Sequence, residues 1–198
     1  MPLKNLTRAE ICRGLERLSA LAAGEDVTLE VAIYGGAVMV LAFDSRPATK
    51  DVDAIIHPAG VAHRLARRIA REFNWHDEWL NDDVRMFVSP FETKHAWSPA
   101  GLNAPALKIT KPTARYLLAM KVMACRQPLP GHAGDEADIG FLAQKMRIKT
   151  AAEIERIVDA YFPDTVLPAK TLLTLEKILH ANTPPQPAEI RASRRATR

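Results

Sequence analysis

Between Thr28 and Tyr34 the chain reads TLEVAIY, a β-branched and apolar run that passes directly into Gly35-Gly36. Such a run favours a buried strand, and the two glycines favour a tight turn at its end. Ala37 to Phe43 then predicts a short buried helix, and Lys50 to Ile56 (KDVDAII) predicts a second strand closed by Pro58. Strand, turn, helix and strand in this order restrict the first part of the chain to a mixed α/β architecture.

Periodicity supplies the remaining elements. Ile11, Leu15, Leu18 and Ala22 share one face of a helix over 7–23, opened by a capping box of Thr7 and Glu10. Val61, Leu65, Ile69 and Phe73 repeat every fourth residue over 60–73, with Arg64, Arg67, Arg68 and Arg71 on the other side. That basic face is either a solvated surface or one that meets RNA. Strands are predicted around 84–88, 92–97 and 106–110, and helices over 112–126, 135–147, 150–161 and 168–181. The expected organisation is an α/β core over 1–110, a helical subdomain over 111–181 and a basic tail over 182–198, with a cleft between core and helices as the default site.

Composition agrees with a globular chain and removes several classes. The 198 residues are 47% hydrophobic and 25% charged, which excludes disordered, collagen-like and fibrous chains. Cys12 and Cys125 have no CxxC spacing, and the opening MPLKNLTRAE has no secretory pattern, so a reducing cytoplasm is expected. The longest uncharged run, Val31 to Phe43, has 13 residues, short of the ~20 that span a bilayer. The formal charge is +4, and the arginine-rich tail supplies most of it. A tail of this kind attracts phosphates or remains a solvated end.

The chemistry concentrates in Gly35-Gly36 and in Arg46-Pro47-Ala48-Thr49-Lys50-Asp51-Val52-Asp53. Side chains alternate along a strand, so Asp51 and Asp53 share one face. Their repulsion is relieved by a shared proton or by a hard divalent cation, with magnesium the natural candidate. The glycines permit close backbone approach, and the following helix offers N–H groups to an anion. Read apart, Asp-Val-Asp is a polar strand face and Gly-Gly an ordinary turn; the linked arrangement is more specific.

Lys121 stands out independently. The run Tyr116 to Cys125 (YLLAMKVMAC) is apolar except at this lysine, which implies a buried helix holding one ammonium. A buried charge needs a counter-ion. Asp51, Asp53, Asp138 or a nucleotide phosphate are the candidates, with snorkelling to solvent as the alternative. Asp138 is expected to face Lys121, Asp135 to cap the helix it precedes, and Arg126 to bind phosphate or its own helix C-terminus. Asp82 and Asp83 are either a loop turn or a third metal carboxylate. Six scattered histidines show no zinc spacing, Trp75, Trp79 and Trp97 read as packing residues, and no GxSxG elbow supports a serine triad.

Gly-Gly, a helix-length spacer and Arg-x-x-Thr-x-Asp-h-Asp resemble the signature of the nucleotidyltransferase (polymerase β-like) superfamily. Lys121, Arg126, Asp135, Asp138 and Ile139 resemble the Lys-x4-Arg and Asp-x-x-Asp-Ile motifs of AbiEii-type bacterial toxin nucleotidyltransferases. The matches span 33–142. One departure is Gly36-Ala37 where many members have Gly-Ser, which leaves backbone N–H groups as the phosphate contacts.

The resemblance implies a mixed sheet flanked by helices with a helical subdomain after it. It also implies magnesium held by Asp51 and Asp53, and transfer of a nucleoside monophosphate from a triphosphate. Gly35, Gly36, Arg46, Thr49 and Arg126 would lie around the nucleotide, with Lys121 and Asp138 in the chemistry. The implied acceptor is RNA, tRNA foremost, or protein, and a cognate antitoxin is the implied protein partner. A small-molecule adenylyltransferase and an inactive binding module are the alternatives.

Overall fold

The computed structural model describes residues 5–127 and 134–182. The expected loop over 127–133 and tail over 182–198 therefore fall almost wholly outside the described residues. The chain begins with β1 (Leu6–Thr7) and α1 (Arg8–Ala23). Thr7 and Glu10 form the expected capping box, and Ile11, Leu15, Leu18 and Ala22 are buried. β2 (Leu29–Ile33) follows, then α2 (Gly35–Leu41), β3 (Ala48–Thr49), β4 (Val52–His57) and α3 (Ala59–Phe73). β5 (Leu80–Asn81) leads into a 3-10 helix (Asp83–Phe87), β6 (Lys94–Ala96) and β7 (Leu107–Pro112). Four helices complete the described chain: α4 (Ala114–Ala124), α5 (Glu136–Lys145), α6 (Ala151–Tyr161) and α7 (Ala169–Ala181).

The result is a mixed α/β fold. Five strands form one sheet in the order β5-β4-β2-β7-β6, and β1 pairs with β3 in a second, two-stranded sheet. The central strand β2 runs antiparallel to β4 and parallel to β7. Four of its five residues are buried, which explains why it reads as a continuous apolar run. β4 alternates instead: Val52, Ala54 and Ile56 are buried while Asp53 and Ile55 are half-buried on the opposite face. The apolar core is contiguous from Leu6 to Leu179, crossing from sheet to helices.

Trp79 anchors the strand that matters most. Its ring is fully buried and its Nε1 donates to the Ala66 carbonyl of α3 at 3.0 Å. Gly14 of α1 makes room for it: a methyl group there would lie 2.7 Å from the indole. The Trp79 carbonyl accepts from the Val52 amide at 2.8 Å, so the ring that locks α1 to α3 also fixes the start of β4.

Three expectations need correction. The predicted strand at 84–88 is the 3-10 helix, because the Asn81 side chain accepts from the Asp83 amide at 3.0 Å and the Asp82 carbonyl from the Arg85 amide at 2.9 Å. These local bonds bend the backbone away from the sheet. Gly35 and Gly36 do not form a separate turn; they are the first turn of α2, with Tyr34 as its N-cap. Asp135 does occupy the N-cap of α5, yet its side chain makes no capping bond because it is engaged elsewhere.

Among the described residues no helix is long and apolar enough to cross a membrane.

Candidate active site

The register of β2 on β4 brings the first half of the site together. Ile33 lies opposite Ala54, and the Tyr34 amide donates to the Asp53 carbonyl at 2.8 Å. Gly35, at φ +60, therefore stands directly over the Asp53 carboxylate, and a Cβ on Gly35 would lie 2.5 Å from Asp53 Oδ2. Only glycine tolerates both that φ and that approach. A Cβ on Gly36 would collide with Thr49 Oγ1 and lie 3.4 Å from an Arg46 terminal nitrogen. Thr49 and Arg46 thus pack against the second glycine.

Gly35→Ala is accordingly expected to lower stability by ~1–3 kcal/mol, the range for a strained non-glycine φ, and to displace the Asp53 carboxylate. Gly60→Ala is the control, since nothing lies within 4 Å of a Cβ at that helical position. Thermal denaturation of the two variants separates strain from a general effect of adding a methyl.

The second half is an ion cluster under α4 and α5. Lys121 is 4% exposed, Asp138 3% and Asp135 0%. Lys121 Nζ lies 2.8 Å from Asp135 Oδ1 and 2.8 Å from Asp138 Oδ2. Arg46 extends the network, with a terminal nitrogen donating to Asp138 Oδ2 at 3.0 Å. On the other side, the Arg126 amide and Nε each donate to Asp135 Oδ2 at 3.0 Å. The two arginines differ in exposure: the Arg126 side chain is 57% exposed and that of Arg46 24%.

These contacts settle several open points. The counter-ion of Lys121 is Asp138, as expected, together with Asp135, which the sequence reading assigned to capping alone. The amine makes no ion pair with Asp51 or Asp53, although its charge is felt at Asp53. Arg126 clasps Asp135 and leaves part of its guanidinium in solvent. Asp82 pairs with Arg85 at 3.0 Å and lies 3.8 Å from His63. Asp83, in contrast, is close enough to raise the Asp53 pKa.

Electrostatics sets the two halves apart. Burial, and then the Asp51 charge, push the Asp53 carboxyl from 3.8 up to about 6, against the opposing charges of Arg126 and Lys121. Asp135 goes the other way, to about 2. Burial opposes its ionisation, but the Arg126 hydrogen bond and the Lys121 charge outweigh it. Each carboxylate of the cluster under the helices pairs with two cations, while among the described residues neither Asp51 nor Asp53 forms an ion pair.

An uncompensated pair of hard oxygen donors is chemically suited to a divalent cation. Among the described residues no group of three or more His, Cys, Asp or Glu side chains is arranged to hold a metal. Two carboxylates fit magnesium of the kind that keeps its waters and completes its coordination on substrate phosphates. They fit a fully protein-built cage less well.

No family model matches the sequence, and no curated protein or solved structure matches it either.

Proposed function

We propose that this chain is a magnesium-dependent nucleotidyltransferase that moves a nucleoside monophosphate from a triphosphate to an acceptor hydroxyl. The acceptor is RNA, tRNA foremost, or protein, and the setting is the cytoplasm, as a toxin with a cognate antitoxin. One observation carries the reading: residues far apart in the chain converge where Asp53 lies against the bare backbone of Gly35, with Asp138 and Lys121 joined to Gly36 through Arg46.

Bound magnesium supplies charge neutralisation of the triphosphate and activation of the acceptor hydroxyl. Asp51 and Asp53 would hold it, Gly35 and Gly36 leave room for the Asp53 carboxylate and for Thr49, and the phosphates would approach the backbone N–H groups at the start of α2. The acceptor hydroxyl gives its proton to solvent as its oxygen bonds to the α-phosphorus, the bond from that phosphorus to the α–β bridging oxygen breaks, and pyrophosphate leaves. Arg126, half-exposed, has its pKa raised first by the Asp135 hydrogen bond and also by the charges of Asp53 and Asp51, and is the cation best placed to meet the leaving phosphates. Lys121 and Asp138 take a positioning role: each is buried and bonded within the cluster, which fixes Arg46 and Arg126 rather than touching substrate.

Incubation with each α-phosphate-labelled triphosphate, magnesium and total RNA, followed by gel separation, tests this reading. Labelled bands are expected from at least one triphosphate and none in EDTA. A second reading has its own observation. The strand beside β4 presents Asn81, an amide, opposite Asp53, and its side chain is spent on the Asp83 amide and the Glu78 carbonyl. A module that binds nucleotide without turnover would accept that arrangement. Magnesium-dependent consumption of triphosphate separates the two.

A further inference from the structure

The chain holds three tyrosines, and all three hydrogen-bond to one segment, 89–94. Tyr116 of α4 accepts from the Ser89 amide at 2.8 Å. Tyr161, at the end of α6, has its hydroxyl 3.0 Å from that of Thr93, and its carbonyl accepts from the Ser89 hydroxyl. Tyr34 donates to Glu92 Oε2 at 2.7 Å. The first two join helices to the segment. The third joins the segment to the junction of β2 and α2, where the candidate site begins.

Tyr34 is an unusual residue for its place. It is the N-cap of α2, a position that favours a small polar side chain able to accept from the first turn, and its own side chain makes no such bond. It is instead fully buried, where a phenylalanine would fill the same space and leave no hydroxyl to satisfy. Burial first, and then the Glu92 hydrogen bond and charge, push the Tyr34 pKa up, so the hydroxyl keeps its proton and donates.

Glu92 is a fixed acceptor. Its other oxygen takes Lys94 Nζ at 2.6 Å, and its amide donates to the Ser89 carbonyl at 3.1 Å. Beside it, the Thr93 carbonyl accepts from the Thr113 amide at 2.9 Å, immediately before α4. The Tyr34 hydroxyl is therefore tied to a segment that is itself bonded at several points.

The backbone of Tyr34 is tied to Asp53. Its amide donates to the Asp53 carbonyl at 2.8 Å. One residue on, Gly35 lies so near that a Cβ there would be 2.5 Å from Asp53 Oδ2. Asp53 forms no ion pair among the described residues, so the backbone packed against it has a large share in directing its carboxylate. Loss of the hydroxyl anchor loosens both contacts at once.

We propose that Tyr34 is a positioning residue: its hydroxyl, anchored on Glu92, holds the junction of β2 and α2 so that the Asp53 carboxylate stays aimed, with Asp51, at a divalent cation. The proposal rests on the reading of Asp51 and Asp53 as the magnesium pair, and it adds Glu92 to the residues that determine metal affinity.

Manganese alone, without triphosphate or acceptor, is the probe, and its binding to the full chain is followed by electron paramagnetic resonance. Exchange of the amide hydrogen at position 34 is read beside it by NMR. Tyr34→Phe is expected to weaken manganese binding by about tenfold, on the scale of one hydrogen bond to a charged group, and to speed the exchange by a similar factor. Glu92→Leu does the same, while Glu92→Gln, whose amide oxygen still accepts from the tyrosine, keeps most of the affinity. Tyr161→Phe removes a hydroxyl from the same segment, lowers the melting temperature and leaves manganese binding as in the wild type. Wild-type affinity in Tyr34→Phe, or an equal loss in Tyr161→Phe, would overturn the proposal. Manganese binding unchanged by Asp53→Asn would remove the metal site and the proposal with it. The expected pattern of manganese binding with no nucleotide incorporation removes the transferase reading and keeps the positioning role. Incorporation by the wild type with manganese affinity unchanged in Tyr34→Phe does the reverse.

Discussion

Asp53→Asn is expected to abolish nucleotide incorporation, by about a thousandfold or more on the scale of losing a charge-stabilising group, and at the same time to raise the melting temperature. The two effects have one cause. Asp53 titrates at about 6 in the folded chain against an ordinary 3.8, because burial and Asp51 oppose its charge. The neutral form therefore favours folding below pH 4, and that contribution is lost as pH rises through 6. At pH 8 the ionised carboxylate carries the full penalty, and asparagine removes it. The shift sets a ceiling of ~3 kcal/mol; allowing for residual solvent, about 2 kcal/mol remains, or ~5 °C at this chain length. Melting curves in EDTA at pH 8 and pH 4 check it. A gain at pH 8 that vanishes at pH 4 is the expected pair, and an equal shift at both would trace the effect to packing.

Lys121→Met is expected to be the most damaging single change for the fold. It leaves Asp135 and Asp138 buried with only the two arginines to answer them, and breaking a buried pair from one side costs ~3–5 kcal/mol. A drop of roughly 10 °C follows at this length, or loss of soluble protein. Adding Asp138→Asn removes one of the two carboxylates that lose the amine, although Arg46 loses its carboxylate partner with it, so the double variant should recover part of the loss. Urea denaturation of the wild type, both single variants and the double variant measures it. A double variant as unstable as the sum of both single changes would mean that Lys121 acts by packing, not by charge.

The sequence already carried most of the strands and helices, since their apolar faces recur at the periods that burial imposes. Val52, Ala54 and Ile56 point inward, so Asp51 and Asp53 had to share the other face, and Lys121 was conspicuous as one charge in an apolar helix. What stayed hidden depended on contacts made across loops. Asp135 looked like a cap because its position is a cap position; the sequence gives no sign that its carboxylate turns to Lys121, fourteen residues back. The 3-10 helix at Asp83–Phe87 follows from how Asn81 spends its amide, which alternation cannot report.

The account depends on the aspartate pair and the glycine backbone handling a triphosphate at its α-phosphorus. Parallel incubations with the same triphosphate labelled at the α- or at the γ-phosphate test this most directly. The prediction is label on the acceptor from the α-position alone, with γ-label released as pyrophosphate, and neither outcome with Asp53→Asn. Label carried to the acceptor from the γ-position, or α-transfer that persists at full rate in Asp53→Asn, would contradict it.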